Sequence, residues 1–109
     1  METTNPNAAV DFLYEHAPTY AKAKGERIYL EEYRKSLKAI LFQQADGKTI
    51  ADKEAWAYAH EDYIGVLEGI RAAVEREEEL RWQMIAAQAR IEIWRSQEAT
   101  NRTVDKVFR

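Results

Sequence analysis

Apolar residues recur every three or four positions along most of this chain, and strand-like alternation is nowhere sustained. That spacing predicts helices. Asn7 is placed to cap a first short helix, AAVDFLYEHA, with Val10, Leu13 and Tyr14 along one side, and Pro18 ends or resets it. A second helix is expected from about Thr19 to Gln44, where Ala23, Leu30, Tyr33, Leu37, Ile40 and Leu41 repeat at helical spacing around Gly25. The tetrapeptide ADGK, residues 45–48, is the clearest loop. Thr49 then offers an oxygen to a short helix, TIADKEAWAYA, with Asp52 near its positive end and Ile50, Trp56 and Tyr58 as apolar members. His60, Glu61 and Asp62 mark a break or a bend.

From Asp62 to about Thr100 there is no proline, and Ala, Leu, Glu, Arg and Gln dominate. One helix of about 40 residues is expected, nearly 60 Å long at ~1.5 Å per residue. Its apolar positions Tyr63, Val66, Ile70, Ala73, Leu80, Met84, Ala87, Ile91 and Trp94 alternate steps of three and four, with one gap at Glu77. Trp82, Ile85, Ala86, Ala89 and Ile93 form a second stripe on roughly the opposite side. The fold class is therefore all-α: a long helical hairpin with a C-terminal helix of ~40 residues and short accessory helices, assembled as a coiled-coil-like oligomer. One stripe packs on the chain's own second helix. The other calls for a partner, and a homodimer or higher oligomer is the most economical one. The interface residues expected are Trp82, Met84, Ile85, Ala89, Ile91, Ile93 and Trp94, since aromatic anchors and Met dominate buried contact patches. Gly65, Gly69 and Ala73 make a smooth strip for close helix packing. The competing expectation is a small antiparallel bundle whose accessory helices fold over the second stripe.

Composition agrees with a folded single domain. The chain has 109 residues, 46% hydrophobic and 11% aromatic, with 4 Gly and 2 Pro. Residues 1–7 are expected to be a disordered polar start, and residues 8–109 one helical domain. There is no cysteine, so thiol catalysis, disulfide frameworks and Cys-based zinc or iron-sulfur sites are excluded, and a reducing cytoplasm suits the chain. No run reaches the ~18 apolar residues that cross a bilayer, and METTNPN lacks the basic and apolar regions of a signal peptide.

Chemistry finds little to stand on, so no catalytic residue, no metal and no cofactor is expected. His16 and His60 have no helical ligand pair, and HExxH is absent. Glu75 and Glu78 have Glu-x-x-Glu spacing, but the downstream acidic pair of a magnesium-dependent helical hydrolase is missing. Charge says more. Residues 20–38 hold six bases, Lys22, Lys24, Arg27, Arg34, Lys35 and Lys38, against three acids, whereas residues 46–79 hold ten acids against four bases. Arg81, Arg95, Arg102 and Arg109 share a seven-residue spacing and fall along one helix edge. These ten basic residues define the alternative partner, a nucleic acid, with Tyr20, Tyr29, Tyr33 or Trp94 for stacking on bases.

The segments YLEEYRKSLKAILF (29–42), GKTIADKEAWAYAHEDYIGVLEGI (47–70) and LRWQMIAAQARIEIWRSQEATNR (80–102) resemble small helical proteins of tailed bacteriophages and prophages. The similarity covers about residues 18–103. It implies a phage or prophage product in the bacterial cytoplasm, encoded near recombination and single-strand-binding functions. On that resemblance the chain would bind a phage or host protein, as an accessory to DNA recombination or replication or as an inhibitor of a host defence enzyme. The resemblance brings no catalytic residues with it.

Overall fold

The computed structural model describes residues 6–108 and is entirely helical between its loops. Its elements are α1 (Pro6–Gln44), α2 (Ile50–Ala59) and α3 (Glu61–Phe108). The fold class is all-α, as the periodicity predicts. Pro6 and Asn7, expected to be disordered, lie within α1, and residues 1–5 are outside the described residues.

Pro18 does not end the first helix. It sits inside a continuous 39-residue α1, although a proline forfeits one backbone hydrogen bond and crowds the preceding turn at about 3 kcal/mol. The helix continues because its inward row runs straight through. Ala9, Leu13, His16, Tyr20, Ala23, Arg27, Leu30, Arg34, Leu37 and Leu41 follow steps of four and three, and each is buried or half-buried. Just ahead of the proline, His16 Nδ1 donates to the Phe12 carbonyl at 2.9 Å, and the two rings stack with centroids 4.0 Å apart.

The chain forms two compact units, one of residues 21–78 and one of residues 6–20 with 79–108. In the first, α1 and α3 run antiparallel: Arg27 meets Glu77 at one end, and Leu37 and Leu41 share a core with Ala57, Tyr63 and Val66 at the other. Helix α2 begins where the sequence places it. Thr49 Oγ1 accepts from the Asp52 backbone N–H at 3.0 Å, and Asp52 lies in the first turn. Its buried residue is Ala57, whereas the expected apolar members Ile50, Trp56 and Tyr58 are exposed. Tyr58 instead reaches Tyr63 edge-on at 5.2 Å, with Lys38 Nζ 4.6 Å from its centroid. Gly47 is required by a close approach, since a Cβ there would stand 2.7 Å from that of Asp52.

His60 is the break anticipated between α2 and α3. Its backbone is extended, its N–H donates to the Ala57 carbonyl at 3.3 Å, and its Nδ1 accepts from the Asp62 N–H at 3.0 Å. It thus closes one helix and caps the next. Helix α3 has 48 residues and continues past the expected end at Thr100. Its inward row is the predicted one: Tyr63, Ala73 and Ala87 are buried, and Val66, Ile70, Leu80, Met84 and Ile91 are half-buried. No described helix is long and apolar enough to cross a membrane.

Candidate functional site

The second unit buries almost nothing of its own. In residues 6–20 and 79–107 the buried side chains are Ala9 and Ala87, while the unit of 21–78 buries Leu37, Leu41, Tyr63 and five further residues. Trp82 is 59% exposed, Ile93 51% and Trp94 37%, and Ala86 and Ala89 are also exposed. Ile85 is half-covered. Trp82, Ala86, Ala89 and Ile93 follow steps of four, three and four, so they line one outward face of α3 across three turns. The competing expectation of accessory helices covering this stripe does not hold.

The seven expected interface residues therefore divide. Trp82, Ile85, Ala89 and Ile93 belong to the outward stripe, whereas Met84 and Ile91 are half-buried in the inward row. Trp94 also falls in the inward spacing but remains open to solvent. Around the stripe the side chains are charged. Arg81 lies over the Trp82 ring at 5.1 Å, and Arg95 Nη1 meets Glu92 Oε1 at 3.2 Å with both side chains about two-thirds exposed.

The gap at Glu77 proves to be an ion pair. Glu77 is 7% exposed and occupies a position of the inward row, where Arg27 Nε donates to Oε2 and Nη2 donates to Oε1 at 3.1 Å. Arg27 Nη1 also donates to Glu31 at 3.1 Å. The fork holds the guanidinium further into its charged form than an ordinary arginine, chiefly through Glu77 and then Glu31. Arg27 is thus engaged within the chain, where its pair with Glu77 joins α1 to α3. A signal for this was present in the sequence: Arg27 continues the inward spacing of α1 and has an acid four residues on.

Other members of the basic set are similarly engaged. Lys35 Nζ donates to Glu32 at 3.2 Å, and Lys38 lies 3.9 Å from Glu54 and 4.6 Å from the Tyr58 ring centroid, with its pKa raised first by Tyr58. Arg34 is half-buried in the inward row, and Lys22 and Lys24 are exposed. Arg102 Nε donates to the Glu98 carbonyl at 3.4 Å, and Arg109 lies outside the described residues. Several of the described basic residues are therefore already engaged within their own unit.

Gly65, expected at a close helix contact, is exposed and would meet nothing within 4 Å if it carried a Cβ. Gly69 is nearer its expected role, with Leu30 Cδ1 3.8 Å from that position, and Ala73 is buried. Glu75 and Glu78 are exposed, and among the described residues no three His, Asp or Glu side chains gather as a metal site would require. No protein family, curated protein sequence or solved structure matches this chain.

Proposed function

We propose that this chain is a non-enzymatic, self-associating helical protein that works by docking the outward stripe of α3 against another helix. The observation that carries the reading is the exposure of Trp82 and Ile93 on a face that also contains Ala86 and Ala89. A large aromatic anchor beside small residues on a rigid helix is what a helix-on-helix interface uses. The segment resemblance to phage helical proteins supplies the setting. There the same docking would serve a phage or host protein in the bacterial cytoplasm, during DNA recombination or replication or against a host defence enzyme.

The test is a double substitution, Trp82→Glu with Ile93→Glu. Both side chains lie in solvent in the isolated chain, so helicity should survive while association measured by light scattering is lost, because docking would bury unpaired charges. Association unchanged in the double variant would overturn the reading. A mobility shift with single-stranded DNA that weakens steeply with salt would support the nucleic-acid alternative instead.

A further inference from the structure

We infer that the outward stripe of α3 is covered by α3 of a second copy of this chain, antiparallel, about a two-fold axis level with the midpoint between Ala87 and Gln88. This rests on the docking reading above and supplies its partner and geometry. The stripe is nearly its own reverse. Ala86 and Ala89 stand equally far on either side of that midpoint, and Trp82 and Ile93 stand equally far beyond them. Antiparallel pairing sets each Trp82 against Ile93 of the second copy and brings alanine to alanine at the centre. Small residues there allow the axes to approach to about 8 Å, with the bulky pairs closing both ends.

The flanking charges select the same direction. With the apolar residues so paired, Arg81 falls within a turn of Glu92 of the second copy, and Glu78 within a turn of Arg95 of the second copy. Each of these two contacts joins opposite charges and occurs twice by symmetry, with Arg95 of the second copy also within a turn of Arg81. A parallel pair would carry Glu78, Arg81, Glu92 and Arg95, which share one flank of the stripe, to opposite edges of the dimer and would lose both contacts. The existing Arg95–Glu92 pair lies at the surface, where it is readily shared with a neighbour. A surface that complements itself in both size and charge is what an isologous dimer requires.

The absence of native cysteine makes the geometry directly readable. Across the inferred axis two copies of position 89 stand about 4.5 Å apart along the helices, and two copies of position 96 about 25 Å apart. Both residues are exposed in the isolated chain. Under mild oxidation Ala89→Cys should give a disulfide-linked dimer and Ser96→Cys should not. Arg81→Glu should weaken association several-fold, and adding Glu92→Arg should restore it. Equal cross-linking at both positions would mean a parallel pair and would overturn the inference while leaving the docking reading intact. So would an Ala89→Cys protein that stays uncross-linked although it associates and loses that association with Trp82→Glu and Ile93→Glu. Association that ignores that double substitution would instead bring down the docking reading itself.

Discussion

Residues 21–78 and residues 79–98 carry the same three-four spacing and bury very different amounts of it. In the first region the inward rows of α1 and α3 are joined by α2, which adds Ala57, wholly buried, and clamps Tyr58 onto Tyr63 and Lys38. In the second, the inward row ends in one buried alanine, Ala87, and α3 carries a further apolar row on its outer side. A spacing pattern specifies which face turns inward, but the depth of burial depends on how many elements converge there. Where three converge a core results. Where they do not, side chains such as Trp82 are left in water.

The largest effect expected from this contrast is at Leu41, which among the described residues is the large side chain most fully covered. Leu41→Ala should cost about 2–5 kcal/mol in urea unfolding. Trp82→Ala, measured at dilution, should shift folding stability by less than about 0.5 kcal/mol, since the ring touches little within its own chain. Equal losses at the two positions would erase the distinction between the regions.

Next in size is the ion pair in the inward row. Arg27→Met leaves the Glu77 carboxylate buried without its fork and should lower the urea midpoint clearly. Arg27→Met with Glu77→Leu should recover that loss, because an apolar pair of similar volume carries no desolvation cost. A double variant no better than the single would show that the pair itself holds the two helices together.

Smaller effects separate the glycines. Gly25→Ala and Gly65→Ala each lie in a helix with nothing within 4 Å of the new Cβ, and each should stabilise by about 0.5–1 kcal/mol. Gly47→Ala should destabilise, because the added carbon meets Asp52 and the Lys53 backbone nitrogen. Thermal melts of the three variants decide it. The smallest effect is at Lys38, whose pKa is raised first by its contact with Tyr58 and also by Glu54. A raised amine pKa adds stability that is complete below the unfolded value near ~10.4 and disappears as pH climbs through the folded one. The difference in melting temperature between wild type and Lys38→Met should therefore stay constant around neutral pH and shrink above about pH 10.4.

Much of the fold was legible because helical packing is periodic. The row from Tyr63 to Ile91, the cap at Thr49 and the break at His60 each follow from local residue chemistry. Pro18 was misleading because a local penalty of about 3 kcal/mol is outweighed when the residues on both sides pack in one register. Charge counts along the sequence do not reveal that Arg27 turns inward, although its place in the inward spacing does. Gly65 shows the converse: spacing suggested a close contact, and the backbone lies open. The outward stripe was visible as a pattern, since Trp82 and Ile93 differ from their polar neighbours. What covers it is not read from spacing alone, because docking joins two molecules and the spacing within one helix sets neither the direction nor the register of the pair.

Hydrogen–deuterium exchange followed region by region over a range of protein concentrations tests the contrast most directly. The prediction is that amides of residues 21–78 are equally protected throughout, while those of residues 79–98 become more protected as concentration rises and the stripe finds its partner. Protection in residues 79–98 that is already high at the lowest concentration and does not change would contradict the account.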